Sequence, residues 1–237
     1  MNKIKRILKK IFLKERYDSE SYRAYLIKNG VKVGKGTFFF APKNTSIDIG
    51  RKNLIEIGEY CKITGGVTIL SHDYSRSVLR MKYGELLAEA QKTVIGDNVF
   101  IGINTTILMG TTIGDNVIVG ANSLVKGKFP DDVVIAGNPA KIICTLEEYY
   151  LKRKASYINE AKFYAELFYK NEGRKPTAQE MGQFYPIFCE RSLDAIKDNN
   201  ININLSGDNM NDVIDKFLMS KPSYNGLEEF LDLCDFK

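Results

Sequence analysis

Residues 93–125 read TVIGDNVFIGINTTILMGTTIGDNVIVGANSLV, and their spacing decides the fold. An aliphatic side chain returns every six residues at Ile95, Ile101, Ile107, Ile113, Val119 and Val125. A helix repeats every 3.6 residues and an ordinary strand every two, so neither produces this interval. The residue after each aliphatic is Gly96, Gly102, Leu108, Gly114, Gly120 and Lys126, and the residue three after it is Asn98, Asn104, Gly110, Asn116, Asn122 and Lys128. Glycine and asparagine tolerate a left-handed backbone, so each unit is a short strand followed by a sharp corner. Val99, Thr105, Thr111, Val117 and Ser123, small or β-branched, recur at the fifth position of the unit. A chain that turns every six residues closes a triangle in three units, which predicts a parallel β-helix.

Working outward, Ile57, Ile63 and Ile69 keep the same interval, and Val33-Gly34 and Ile49-Gly50 read as earlier, less regular units. Between Ile69 and Ile95 the clock is interrupted by about 20 residues, read as a loop over residues 73–92. Long loops in a compact repeat are usually functional, although a plain surface excursion is the other reading. Beyond Pro139 the clock stops. Helices are expected at about 146–169, 177–197 (broken near Pro186), 211–219 and 226–234. The domain organisation is thus an N-terminal basic helical segment (1–30), a β-helix (31–143) and a C-terminal helical extension (144–237). The aromatic residues of the extension serve either as its core or in acceptor and subunit contacts.

The net charge of +5 is concentrated in the leader. Lys3, Lys5, Arg6, Lys9, Lys10, Lys14 and Arg16 stand against Glu15, and the rest of the chain is close to neutral. Ile4, Ile7, Leu8, Ile11 and Phe12 alternate with these cations at helical spacing. Two readings remain open: an amphipathic helix that lies on an anionic membrane, and one that covers the open end of the β-helix. Without interleaved stacking aromatics, a nucleic-acid partner is not expected. Cys61, Cys144, Cys189 and Cys234 show no metal or CxxC spacing, and no secretory signal is recognised, so reduced thiols in the cytoplasm are expected, with Cys61 and Cys144 as small core residues.

His72 is the sole histidine. It falls three residues after Ile69, at a corner position otherwise held by asparagine or glycine, immediately before the long loop. One imidazole cannot build a three-histidine zinc site, so no metal is expected. No GxSxG elbow is present, and Asp73 is adjacent to His72 rather than behind it. General-base catalysis is the commonest chemistry open to such a side chain. The alternative is a corner residue that only accepts an unusual backbone angle.

The runs 93–102, 107–116 and 119–125, followed by Ala136-Gly-Asn-Pro-Ala-Lys141, resemble the hexapeptide-repeat, left-handed β-helix O-acetyltransferases. The maltose/galactoside and capsule or O-antigen branches look nearest. The resemblance covers about residues 31–143. It implies a homotrimer with acetyl-CoA in clefts between subunits and His72 as general base. The stretch Leu79-Arg80…Gly84-Glu85 is similar to the acceptor loop of the sugar enzymes, which implies acceptor-side roles for Asp73, Arg80 and Glu85. Phe100, Ile103 and Ala121 match cofactor-lining positions, and Lys126, Lys128 and Lys141 match phosphate-contacting ones. The usual Thr-Lys-Asp run reads Lys126-Gly127-Lys128 here. The acceptor-binding Asn and Asp residues of the sugar enzymes have no recognisable counterparts in residues 17–60. The expected activity is acetyl transfer to a sugar hydroxyl of a surface polysaccharide or its precursor, at the inner face of the membrane. Amino-sugar-nucleotide N-acetyltransferase, serine acetyltransferase and a non-catalytic scaffold are the competing readings.

Overall fold

The computed structural model describes residues 12–199 and 206–236; Ile4, Ile7, Leu8 and Ile11 of the basic leader lie outside them. The chain divides into two compact units, Met1–Tyr149 and Tyr150–Lys237.

The first unit is a left-handed parallel β-helix of four coils. Coil one holds β1 (Lys32–Val33), β2 (Phe38–Phe39) and β3 (Ser46–Ile47). Coil two holds β4 (Ile55–Ile57), β5 (Lys62–Ile63) and β6 (Thr68–Ile69). Coil three holds β7 (Thr93–Ile95), β8 (Phe100–Ile101) and β9 (Thr106–Ile107), and coil four β10 (Thr112–Ile113), β11 (Ile118–Val119) and β12 (Leu124–Val125). β13 (Lys128–Phe129) and β14 (Val133–Gly137) begin a further turn, and β15 (Ala140–Thr145) folds back antiparallel on β14. Stacking the coils gives three sheets: sheet A is β1-β4-β7-β10-β13, sheet B is β2-β5-β8-β11-β14-β15, and sheet C is β3-β6-β9-β12.

The six-residue clock is the inward file of this prism. Ile57, Ile63, Ile69, Ile95, Ile101, Ile107, Ile113, Val119 and Val125 are all buried. At the corners Asn98, Asn104, Asn116 and Asn122 have φ of 53–57°, the left-handed conformation their residue type tolerates. The corner residues Thr105, Thr111 and Ser123 are also buried, and each hydroxyl donates to a backbone carbonyl (Gly120, Leu108 and Gly120 respectively), so small polar side chains close the corners without an unmet donor. Because Ile101 is wholly enclosed between Ile63 and Val119 in sheet B, Ile101→Ala is expected to cost about 2–5 kcal/mol in urea denaturation.

In the first coil the register differs from expectation. The inward residue of β3 is Ile47, paired with Ile69, and not Ile49, which is only partly buried. From Val33 the core file advances by steps of 6, 8 and 10 residues to Phe39, Ile47 and Ile57. The extra residues form a one-turn 3-10 helix at Pro42–Asn44 and a wide corner over residues 48–54. Asp48, Ile49 and Gly50 therefore belong to a corner and not to a strand.

The 20-residue interruption leaves the coil without disturbing it, since the Gln91 N–H returns to the Ser71 carbonyl at 3.0 Å. The loop itself is partly helical. Asp73 accepts from the Ser75 N–H and hydroxyl, and a helix spans Arg76–Tyr83 until Gly84, at φ 73°, ends it. At the N-terminal end the helix Ser19–Lys28, capped by Asp18, covers the prism: Tyr22 and Leu26 are wholly buried in the β-helix core. Arg16 fastens the entry by donating to the carbonyls of Pro42 and Thr45, both at 2.7 Å. Cys61 is a core residue as expected, whereas Cys144 is half-buried because it lies on the sheet-edge strand β15.

The second unit has its own core of Ala161, Ala165, Met181, Tyr185, Ile187, Phe188, Ile196, Phe230 and Leu231. Its helices run Leu146–Glu172, Leu193–Asp198, Met210–Met219 and Leu227–Leu231. The helix expected over 177–197 is replaced by a capped turn at Thr177–Glu180, a 3-10 segment at Gly182–Ile187 and the short helix from Leu193. Gly182 at φ 53° and Pro186 prevent continuation. The aromatic side chains pack on one another, Tyr157 and Tyr164 on Phe184 and Phe188 on Phe230. Burial pushes the Tyr157 hydroxyl up to about 12. Among the described residues, no helix is long and apolar enough to cross a membrane.

Candidate active site

Each prism edge collects one corner from every coil. The edge between sheets C and A carries residues 48–54, 70–92, 108–111 and 126–127. His72 sits on it in coil two, and β3 pairing with β6 places Asp48 of coil one directly alongside. The imidazole Nδ1 lies 2.5 Å from Asp48 Oδ2. The same oxygen accepts from the Ser71 hydroxyl and N–H, and Oδ1 accepts from the Gly50 N–H at 2.8 Å. Burial pushes the Asp48 carboxyl upward, but the hydrogen bonds from Ser71, Gly50 and His72 outweigh it and hold the group below the usual carboxylate range. An ionised carboxylate only accepts, so when the ring is neutral Nδ1 carries its proton and Nε2 holds the lone pair. The His72 side chain is 31% exposed and that of Asp48 10%. A proton acceptor is thus held rigidly from behind and open in front.

Gly50 makes the open side. A methyl group added there would stand 3.1 Å from His72 Cε1, 3.8 Å from Nε2 and 3.1 Å from Asp48 Oδ1. Gly50 does not have a left-handed φ, so alanine is compatible with its backbone and would press only on the dyad. Gly50→Ala is expected to displace the imidazole by a few tenths of an ångström and leave the fold intact, which a shift of the His72 ring resonances in an otherwise unchanged NMR spectrum checks.

The other sequence-predicted residues divide between prism edges. Asp73 adjoins His72, but its carboxylate is committed to Ser75, which holds it below the usual range, and its carbonyl accepts from Arg76. Arg80 and Glu85 are exposed, on the loop helix and just beyond it. Lys126 shares the edge of His72 two coils further on. Phe100 points outward from sheet B, 39% exposed, and Ile103, 52% exposed, and Ala121 lie on the edge between sheets B and C. At that edge a Cβ on residue 102 would fall 2.5 Å from the Ala121 nitrogen, so successive coils approach through bare backbone. Lys128 lies on sheet A and Lys141 on β15, both exposed. Within one chain, sheet C therefore separates the histidine edge from the Ile103–Ala121 edge. Among the described residues no cluster of side chains suits a metal ion.

Asp48, Ser71 and Gly50 escaped the sequence reading. Its register for coil one was two residues out, which treated Asp48 as part of an irregular strand. The signal that would have found it is the Val33–Phe39–Ile47 core file, which leaves Asp48 one position past a strand and level with Leu70.

Residues 92–127 match the family described as "Bacterial transferase hexapeptide (six repeats)". Protein CapG of Staphylococcus aureus is 42% identical over 167 residues, covering 66% of this chain and 94% of CapG. YvoF of Bacillus subtilis (strain 168), provisionally named an acetyltransferase, is 38% identical over 135 residues, 57% of this chain and 70% of YvoF. WbbJ of Escherichia coli (strain K12), provisionally named a lipopolysaccharide biosynthesis O-acetyl transferase, is 36% identical over 124 residues, 46% of this chain and 61% of WbbJ. Among solved structures, the Vibrio cholerae hexapeptide-repeat acetyltransferase VCA0836 aligns with a TM-score of 0.44 and 30% identity over 49% of this chain and 63% of that one. With a relative 42% identical along 94% of its length and the repeat built as these coils, the chain belongs to the hexapeptide-repeat acetyltransferases.

Proposed function

We propose that the protein transfers the acetyl group of acetyl-CoA to a hydroxyl of a sugar in a surface polysaccharide or its precursor, with His72 as general base. The observation that carries this reading is the Asp48–His72 dyad, with Nε2 free at a half-exposed edge beside a loop. The name of the WbbJ relative supports a saccharide acceptor.

In this mechanism the acceptor hydroxyl donates to Nε2. As its oxygen bonds to the thioester carbonyl carbon, the proton passes to the imidazole and Asp48 stabilises the resulting cation. Collapse of the tetrahedral adduct breaks the carbon–sulfur bond, and the imidazolium returns the proton to the departing sulfur. The products are the acetyl ester and free coenzyme A, and no enzyme nucleophile takes part. General-base action of this kind is worth about 10²–10⁴ in rate.

The cofactor would lie along the edge of Ile103 and Ala121, where backbone groups meet the amides of the pantetheine arm and Phe100 covers it. Lys126, Lys128 and Lys141 would pair with its phosphates. That edge and the histidine edge belong to opposite sides of sheet C, so a homotrimer in which one copy's His72 meets the next copy's cofactor edge completes the site. Arg80 and Glu85, exposed on the loop, are acceptor-side candidates. The leader, residues 1–16, would place the enzyme at an anionic membrane, and liposome sedimentation with and without it tests that separately.

The functional reading is tested by thiol release from acetyl-CoA with a panel of hexosides, hexuronides, amino-sugar nucleotides and serine. Release with sugar hydroxyl acceptors is expected. Release only with an amine or serine reassigns the acceptor, and none with any acceptor removes the catalytic reading.

A further inference from the structure

Two buried side-chain atoms among the described residues lack a hydrogen-bond partner: Arg51 Nε and Glu89 Oε1. Both lie on the prism edge that carries His72. Arg51 follows Gly50, the residue that faces the imidazole. Glu89 is two residues before Gln91, whose N–H closes the loop onto Ser71, and its carboxyl lies beside that of Asp73, the neighbour of His72. A buried donor or acceptor left unmet costs about 1–3 kcal/mol, and more when it is charged. Such groups are rare in folded chains and each calls for an explanation. Here a guanidinium donor and a carboxyl acceptor belong to the same prism edge as the proposed base.

We propose that Arg51 and Glu89 recognise the acceptor, Arg51 bonding a carboxylate or phosphate oxygen of an acidic sugar and Glu89 a hydroxyl next to the one that reacts. This rests on the assignment of His72 as base. The charge around the edge supports an anionic ligand. Asp48 is matched to His72, and Arg51 and Lys52 stand together on the adjoining corner. Arginine is suited to such a partner because its planar fork matches the two oxygens of a carboxylate or phosphate. A site built to bond a substrate oxygen also rejects analogues that lack it more strongly than an apolar pocket would.

The test compares methyl hexopyranosides with the matching methyl hexuronides and hexose 1-phosphates, as acceptors and as ligands of the full-length protein loaded with free coenzyme A, followed by calorimetry. The wild type is expected to favour one acidic class, and the hexuronide and phosphate arms show which. Arg51→Gln should cut the acidic-to-neutral selectivity at least 10-fold in both kcat/KM and Kd, with Arg51→Lys recovering part of it. Glu89→Ala should raise acceptor KM and leave acetyl-CoA KM in place. Equal binding of acidic and neutral sugars by the wild type, binding of neither, or a uniform loss in R51Q would overturn the proposal. So would dissociation of the oligomer in R51Q, since the guanidinium would then serve a subunit contact. The calorimetric arm needs no turnover: a fully active His72→Ala enzyme would remove the base while leaving the binding selectivity to be judged by itself.

Discussion

His72→Ala is expected to lower kcat by about 10²–10⁴, equivalent to roughly 3–5.5 kcal/mol of transition-state stabilisation. Acetyl-CoA affinity should stay within about two-fold. The separation follows from the architecture. His72 stands on the edge between sheets C and A, whereas the backbone positions assigned to the pantetheine arm, Ile103 and Ala121, stand on the edge between sheets B and C. Removing the imidazole takes away the proton acceptor and leaves in place the backbone groups assigned to the pantetheine arm. The side chain is also 31% exposed and makes its bond to Asp48 at a corner, so its loss leaves the buried core file intact. The measurement is thiol release under saturating donor, with acetyl-CoA binding determined in parallel. A variant as active as the wild type would end the assignment of His72.

Asp48→Asn is expected to lower kcat by about 10²–10⁴ as well, for a different reason. An asparagine that keeps its oxygen on the Gly50 N–H places its amide nitrogen where Oδ2 stood, giving up the Ser71 N–H and presenting an N–H to His72 Nδ1. That would drive the ring proton to Nε2 and block the nitrogen that must accept from the alcohol. In serine-hydrolase triads the same exchange costs on the order of 10⁴. Asp48 acts through His72 and is a positioning residue, so the diagnostic result is a fall in kcat with the KM of acetyl-CoA unmoved. A merely structural role would instead spread the loss over both. Asp48→Ala should also lower thermal stability, because the Ser71 and Gly50 N–H groups lose their acceptor. The pH dependence has a definite sign. Since folding lowers the Asp48 carboxyl below its ordinary 3.8, its contribution to stability is complete above that value and fades as pH falls through the lowered one. The stability gap between wild type and D48N should therefore narrow in acid, and a gap that widens there would contradict the hydrogen-bonded carboxylate.

Much of the site was open to reading in one dimension. The hexapeptide interval placed Ile95, Ile101 and Ile107 on the three successive walls of a prism, and the 26-residue step from Ile69 to Ile95 exposed the loop with His72 at its root. Helix boundaries in the second unit were less legible. Only tertiary packing decides whether Pro186 interrupts a helix or replaces it with a 3-10 turn, and there the neighbouring Gly182 adopts a left-handed φ. The first coil was misread by two residues because its corners are longer than those of later coils. That shift concealed Asp48.

The amino-acid order alone determined the coil, its core file and the corner that bears the imidazole, because a period of six admits one way of burying an aliphatic stripe while asparagine and glycine turn the chain. What it could not determine is which side chains from different coils meet across an edge. Asp48 and His72 are 24 residues apart in the chain, and their contact depends on the pairing of β3 with β6 and on the irregular corner before it. Arg51 and Glu89 are likewise brought to the same edge by coil stacking and by the Gln91–Ser71 closure. Their partnerless atoms show only once the surrounding surface is in place, since burial is a property of the packed neighbours and not of the residue.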